Sequence, residues 1–287
     1  MGNTLRDLQL CELEILKEVK RVCQKHNITY YLSSGTLLGA VRHGGFIPWD
    51  DDVDIEMPYS DYKRFIAIAQ EELEEEYFLQ NEDTDSGYYR LFTKVRKNNT
   101  TMISSYGSGS GNHQGVWVDI FPIISIGGTL DYYYRKLCVR ICNYAMFDRT
   151  YFDKDRRWIR SQTNAFMFHF TKWFIKLPIS FRRKVYFFFK RMVFIRADRK
   201  TKRKGHVWAG ITYIHPACVF EGEPKLLPFE DDVFPVPSGY EEYLTNAYGD
   251  YMTPPPEDKR NGGHGDVIID LEHSWENYIP FEKSHTK

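Results

Sequence analysis

The chain has 287 residues and no uninterrupted apolar run near the roughly 18 residues that mark a membrane-spanning helix. A helical membrane protein is therefore not expected. The start, "MGNTLRDLQLCELEILKEVK", lacks a basic stretch followed by an apolar one, so no secretory signal is expected. Gly2 is followed at position six by Arg6 rather than Ser or Thr, which argues against N-myristoylation. Cysteine is scarce and odd in number: Cys11, Cys23, Cys138, Cys142 and Cys218. None forms a Cys-x-x-Cys pair. Cys138 and Cys142 share a helical spacing, but no His or further Cys stands near them to complete a zinc site. The expectation is free, mostly buried thiols in a reducing compartment. Internal repeats and long low-complexity tracts are absent too, which excludes a solenoid. The expectation is a cytoplasmic protein, soluble or peripheral on the inner face of the cell membrane.

Aromatic residues are plentiful, with 20 Tyr, 20 Phe and 6 Trp. Net charge is close to balance at −1, but the charge is segregated. Residues 154–206 hold 17 Lys and Arg against two Asp, a net of +15, which leaves −16 for the rest. Such a split suits an anionic partner facing one region.

Residues Thr4 to His26 read as an amphipathic helix, with Leu5, Leu8, Ile15, Val19 and Val22 at helical spacing. "ITYYLSSG" reads as a short strand ending in a turn. "TLLGAVRHGG" reads as a helix from Thr36, stopped by Gly44-Gly45. Val53 to Met57 reads as a strand. Ser60 is a candidate cap for a helix from Asp61 to about Glu76. "YYRLFTKVRK" and "GVWVDIFPI" read as strands. The first half is thus a mixed α/β pattern. From Asp131 to Phe194 the signal is helical, aromatic and basic. Short strands and loops are expected after Val207.

The chemistry concentrates in "GGFIPWDDDVDIEM", where Asp50, Asp51, Asp52 and Asp54 crowd the edge of a strand. Alternate residues of a strand face one side, so Asp52 and Asp54 would point to one place. Paired carboxylates repel unless a cation neutralises them or one stays protonated. A hard divalent ion takes such oxygen ligands together with substrate phosphates. A solvated acidic turn is the plain alternative. A calcium loop counted from Asp50 fails, since position 6 is Ile55 and position 12 is Asp61. Asp119 in "GVWVDIFPI" is a third candidate carboxylate, an arrangement that two-metal chemistry uses; a lone buried Asp that merely satisfies backbone is the alternative. In "SSGTLLGA", a turn feeding a helix offers backbone N–H groups to phosphate.

These residues resemble a known family. "YYLSSGTLLGAVRHGGFIPWDDDVDI" is similar to the signature of the LicD family of phosphocholine transferases, relatives of the fukutin proteins within the nucleotidyltransferase-fold superfamily. "FPVPSGYEEYLTNAYGDYMTPPPEDKR" is similar to that family's C-terminal stretch. The resemblance covers roughly residues 25 to 125 and 215 to 265. It implies an α/β (α+β) fold: a nucleotidyltransferase-like mixed-sheet core in residues 1–127, a basic aromatic helical insertion in 128–206, and a segment returning to the core in 207–287. It implies transfer of phosphocholine, or a related phospho-alcohol, from CDP-choline or a similar CDP-alcohol to a hydroxyl of a cell-surface glycan or its lipid-linked precursor, with release of CMP. Asp52, Asp54 and Asp119 match the family's metal-binding acids, for Mg²⁺ or Mn²⁺, and Asp119 is the candidate to take the acceptor's proton. Ser34, Gly35 and Thr36 match a phosphate-holding turn. Simple nucleotidyltransferases place that turn closer to the Asp pair; here Gly35 and Asp52 are 17 positions apart. Arg42 and His43 precede the acids, and Lys94 and Arg96 alternate in "TKVRK". Lys259, Arg260 and His264 lie in a segment suited to closing over substrate. Surface charge is the alternative for each of these. A choline cargo would need aromatic faces, for which Trp49 and Trp117 stand nearest the acids.

The middle region has its own logic. Phe166, Phe170, Trp173 and Leu177 share one helical face, and His169, Lys172 and Lys176 another. Past Pro178, Val185, Phe188, Met192 and Ile195 oppose Arg183, Lys184, Lys190 and Arg191. Basic amphipathic helices of this type lie in anionic membrane interfaces; a helical layer packed on the core is the alternative. No motif for nucleic acid accompanies the charge. Two further functional readings stand beside phosphocholine transfer. One is another nucleotidyltransferase or a nucleotide-sugar glycosyltransferase. The other is a non-catalytic glycan- or lipid-surface binding protein.

Overall fold

The computed structural model describes residues 4–104, 111–146, 165–260 and 267–278. Helix α1 (Leu5–Lys25) opens with a capping box, in which Thr4 and Asp7 satisfy each other's backbone N–H. Its stripe of Leu8, Ile15, Leu16, Val19 and Val22 is wholly buried, and the helix packs on the central sheet at β4 (Thr93–Lys97) and β6 (Trp117–Ile126). After the two-residue strand β1 (Tyr31–Leu32) comes α2 (Ser34–His43), then β2 (Asp54–Pro58), α3 (Tyr59–Glu72) and β3 (Tyr77–Gln80). Helix α2 stops at Gly44, whose φ of 69° is left-handed. The returning loop runs so close that a Cβ on Gly39 would stand 2.4 Å from the Gly45 carbonyl oxygen.

The sheet orders its strands β1-β2-β6-β4-β3. Only β2 and β6 run parallel, with Asp54 directly opposite Asp119; the other pairs are antiparallel. Strand β6 is buried at all its 10 positions, as a central strand with both faces covered should be. It pairs with β4 along its first half and with β7 (Arg203–Val207) along its second, and β8 (Ile211–Pro216) follows β7. Strand β5 (Thr101–Ser104) pairs separately with β11 (Val267–Asp270), and β9 (Lys225–Phe229) forms a hairpin with β10 (Asp232–Val236). The mixed α/β architecture expected from the sequence is present.

Three helices, α4 (Thr129–Ala145), α5 (Ala165–Phe174) and α6 (Ile179–Phe194), form a second layer with its own core around Cys138, Cys142, Tyr186 and Val193. Buried arginines hold the ends of these helices. Arg135 donates to the carbonyls of Val193 and Ile195, and Arg182 to those of Ala145 and Ile175. Cations suit the unsatisfied carbonyls of a helix C-terminus. No helix among the described residues is long and apolar enough to cross a membrane. All five cysteines are free, and only Cys218 is exposed.

Several boundaries differ from the sequence reading. The first strand shrinks to two residues because Ser33 already turns into α2. Helix α3 begins after Pro58 and ends at Glu72, without a side-chain cap from Ser60. Only Thr93–Lys97 of "YYRLFTKVRK" is strand. Helix α7 (Tyr240–Tyr248) forms where loops and strands were expected, with Tyr243 and Leu244 buried. Strand β7 begins before Val207 and joins the core sheet, so the span 128–206 is not wholly helical.

Candidate functional site

The parallel pairing of β2 with β6 sets the site. It brings Asp54 and Asp119 side by side where the two strands enter the sheet, and the Asp119 N–H donates to the Val53 carbonyl at 2.9 Å. The loop before β2 delivers Asp50, Asp51 and Asp52, which each offer a carboxylate oxygen within 4.8 Å of the others. Asp54 and Asp119 stand beside this triplet rather than within it. The sequence had grouped Asp52, Asp54 and Asp119; the tightest convergence is one step earlier in the loop. Asp50, Asp52 and Asp54 are half-buried, so the acids line a bowl open on one side, while Asp119 is buried.

Asp119 has two anchors. The Trp117 indole N–H donates to Oδ2 at 3.1 Å, and the Lys94 ammonium lies 2.5 Å from Oδ1. That ammonium also sits 4.1 Å from the centre of the Trp117 ring. Burial pushes the Lys94 ammonium down to about 8, against the opposing pull of Asp119. For Asp54 the balance runs the other way. Burial, then the charges of Asp52, Asp119 and Asp50, push its carboxyl well above the usual carboxylate range.

The Ser33–Ser34–Gly35–Thr36 turn is built against the acids. The Asp54 N–H donates to the Thr36 hydroxyl at 2.9 Å, and the Ser33 N–H to the Asp54 carbonyl at 3.0 Å. Gly35 packs closely against this loop: a Cβ there would stand 2.6 Å from Asp50 Oδ2, so the Asp50 carboxylate would have to shift. Ser34 holds a φ of 49°, an uncommon left-handed value for serine. Tyr243 of α7 secures this conformation. Its hydroxyl lies 3.0 Å from Ser33 Oγ and accepts from the Ser34 N–H at 3.4 Å. Below, Glu56 and His206 meet at 3.4 Å, both buried.

Basic groups stand around the rim. Arg42 donates to the Tyr251 carbonyl at 2.9 Å. Burial, then the charge of Arg260, lowers its guanidinium from the ordinary value, so two cations lie near each other here. Arg260 sits 5.2 Å from the centre of the Trp49 ring, and His43 meets Trp49 edge-on. Arg96 is turned to another task. It donates to Gln80 and to the Gly115 carbonyl, both at 2.5 Å, and packs on Trp117. Each indole singled out for a choline cage thus already carries a cation of the chain itself. Lys259 is exposed at the end of a short 3₁₀ turn, Glu257–Lys259. His264 lies outside the described residues.

Helix α1 contributes what the sequence reading missed. Gln9 donates to the Asp50 carbonyl at 2.9 Å and Glu12 follows one turn later. Glu12 is wholly buried, and neither of its carboxylate oxygens has a hydrogen-bond partner. Burial, then the charges of Asp52, Asp51, Asp50 and Asp119, push its carboxyl well above the usual range. A signal was present: Glu12 interrupts the apolar stripe at the position between Leu8 and Leu16.

The nucleotidyltransferase domain of the LicD/FKTN/FKRP family matches residues 27–152, which contain the serine turn, the loop aspartates Asp50, Asp51 and Asp52, Asp54 of β2, and Asp119. The core is similar to a LicD-family domain. The chain is 28% identical over 288 aligned positions to the lipopolysaccharide cholinephosphotransferase LicD of Haemophilus influenzae, covering 91% of this chain and 96% of that relative. It is also similar to the human ribitol 5-phosphate transferase FKRP, 47% identical over 49 residues, or 16% of this chain and 10% of that protein. The LicD-family resemblance therefore spans most of the chain in the bacterial relative and a short stretch of the human one.

The donor set fits a hard divalent cation. It consists of the carboxylates of Asp50, Asp51 and Asp52, whose oxygens lie within 4.8 Å of one another.

Proposed function

We propose that this protein moves phosphocholine, or a related phospho-alcohol, from a cytidine-diphosphate alcohol to a hydroxyl of a cell-surface glycan or its lipid-linked precursor. The observation that carries this reading is the placement of Asp54 opposite Asp119 on parallel strands, beside a crowded acidic loop.

Asp52, Asp54 and Asp119 would hold Mg²⁺ or Mn²⁺, which when bound supplies charge neutralisation to the donor's diphosphate. The acceptor oxygen forms a bond to the phosphorus that bears the alcohol. The bond from that phosphorus to the bridging oxygen breaks, and CMP leaves with the electron pair. The acceptor's proton goes to Asp119, whose orientation Trp117 and Lys94 fix. Arg42 and Arg260, close enough to disfavour each other's charge, gain from an anion placed between them and suit the diphosphate. Ser34, Gly35 and Thr36 lie at the start of α2, where backbone N–H groups favour phosphate. Lys259 and His264 belong to the segment next to Arg260 that would cover bound substrate. Arg96 positions Trp117 and reaches phosphate only by giving up its bonds to Gln80 and Gly115.

A lipid-linked acceptor would suit the helical layer. Leu130, Tyr133, Leu137, Trp173, Phe187 and Phe188 are exposed there, among exposed Lys172, Lys176, Arg183, Lys184 and Arg191. Apolar groups interspersed with cations are what a peripheral contact with anionic lipid requires.

The deciding experiment incubates the protein with CDP-choline, CDP-ribitol, UDP-sugars or nucleoside triphosphates plus Mg²⁺, and follows CMP, UDP and pyrophosphate. CMP formation that depends on a glycan acceptor supports the reading. Release of UDP or pyrophosphate alone would replace it with a glycosyl- or nucleotidyltransferase, and no turnover with any donor would replace it with a binding protein.

A further inference from the structure

We propose that Glu56, Phe121, His206, Tyr213 and Tyr248 form the subsite for the alcohol end of the donor, and that they select an alcohol carrying a fixed positive charge, a quaternary ammonium. The inference rests on the proposed function for the place of the donor's phosphate.

The subsite lies one step along the sheet from the acids. Asp54 and Asp119 are opposite each other on β2 and β6, and Glu56 and Phe121 form the next pair on the same face. Two residues of strand span about 6.6 Å, a step that a short alcohol on a phosphate held at Asp54 can cover. His206 of β7 joins this pair. Its Nδ1 lies 3.4 Å from Glu56 Oε2, and its ring stacks on Phe121 at 4.9 Å. Tyr213 of β8 meets the same imidazole edge-on at 5.0 Å. Tyr248 of α7 follows, its ring centre 6.0 Å from that of Tyr213 and the two hydroxyls 3.4 Å apart. Tyr213 is half-buried and Tyr248 is 38% exposed, so the aromatic wall reaches solvent, while Glu56 is 1% exposed.

Separate observations point to a cation. Glu56 Oε1 has no hydrogen-bond partner, so this buried carboxyl keeps capacity for positive charge. Among the described residues, no Lys or Arg stands over the rings of Phe121, Tyr213 or Tyr248, whereas Trp117 carries Lys94 and Trp49 carries Arg260. A quaternary ammonium donates no hydrogen bond and is held by aromatic faces. The backbone places Tyr213 deliberately. Strands β7 and β8 shift register so that Tyr213 and Ile214 oppose the single Gly205, and Tyr213 has a φ of 46°. A bulge re-aims a side chain, and a left-handed φ on a bulky residue persists only where its surroundings hold it.

The test uses choline itself as the probe, with the full chain and no nucleotide. Saturation is transferred from the protein, and the choline methyl signal is followed by NMR. Transfer is expected in the wild type, with competition by tetramethylammonium and none by ribitol. It is expected to be kept in Tyr213→Phe, which retains the ring, and lost in Tyr213→Leu and Glu56→Gln. If these two do not fold, Tyr248→Leu, at a partly exposed position, makes the same comparison. No transfer in the wild type, or full transfer in the folded variants, overturns the subsite. In turnover, kcat/KM for CDP-choline is expected to exceed that for CDP-ribitol by about tenfold, and Tyr213→Leu to erase that ratio. An equal loss on both donors would assign the rings to the nucleotide and overturn the subsite. Choline held by these rings with no CMP released from any donor would sink the proposed function and leave the subsite standing.

Discussion

The acidic bowl and the helical layer both bury charge, and they treat it in opposite ways. In the layer, Arg135 and Arg182 are buried but complete: each finds carbonyls at the end of a helix, and Arg135 also meets Asp131 at 3.1 Å. In the bowl, carboxylates face one another, Glu12 has no partner, and Lys94 is the cation set against Asp119. Buried charge with its partners supplied by the chain holds a fold together. A buried carboxyl such as Glu12, with no hydrogen-bond partner on either oxygen, is poised for something from outside. The first kind should appear in stability when removed and the second in function.

That contrast can be broken most directly at Asp54. Asp54→Asn is expected to lower turnover by about 10³-fold or more, while the metal-free Tm stays level or rises because a repulsion is removed. A fall in Tm with ion binding intact would put Asp54 in the same class as the arginines. Arg135→Ala should do the reverse. Leaving the carbonyls of Val193 and Ile195 without their donor should cost about 3–5 kcal/mol in urea unfolding, with kcat of the surviving folded fraction little changed.

The pH dependence sharpens the contrast. Glu12 and Asp54 both have carboxyls raised by burial and neighbouring acids. A raised carboxyl binds its proton more tightly in the folded chain than in the unfolded one. Stability is then lost as pH rises from the ordinary carboxylate range through the raised value. Without divalent ions, Tm should therefore be higher at about pH 6 than at about pH 7.5, and Mg²⁺ should flatten the slope. Lys94, pushed down to about 8, acts in a higher window and with the opposite sign, adding stability as pH climbs above it. A Tm that rises between pH 6 and 7.5 without metal would contradict the raised carboxyls.

Smaller effects follow at the edges. Tyr243→Phe removes the hydroxyl that meets Ser33 and Ser34, and should cost about 1 kcal/mol of stability and raise KM for the donor through a loosened turn. Lys172→Glu with Lys184→Glu should weaken flotation with anionic liposomes by about 1 kcal/mol or more per residue and leave binding to neutral liposomes alone. Equal flotation on both lipids would make the layer a packed subdomain only.

Much of this was legible because pattern and burial agreed. The stripe of α1 and the alternation of acids with Val53 and Ile55 announced their elements. So did the apolar run around Asp119. The glycine stop after α2 was visible as well, since φ there must be positive. Other parts were not legible for physical reasons. Strand β7 carries Arg203, Lys204 and Gly205, and it is strand only because the end of β6 offers an open edge. Helix α7 spans nine residues and is decided by burial of Tyr243 and Leu244 rather than by propensity. Glu12 was not singled out, because a lone acid on an amphipathic helix usually lies on its solvated face. Arg96 shares a strand face with Lys94, yet the neighbouring Gln80 and Gly115 take its donors. Alternation gives a side and says nothing of which partner waits there.

The bond between Tyr243 and the serine turn joins positions 210 apart along the chain. A nascent polypeptide would therefore complete β2, β6 and the acidic loop well before the clasp for Ser33 and Ser34 left the ribosome. Until that residue docks, Ser34 has no Tyr243 hydroxyl to receive its N–H. Competence thus arrives late in synthesis, and a chain cut short before α7 carries every acid of the bowl without the latch that shapes its phosphate side.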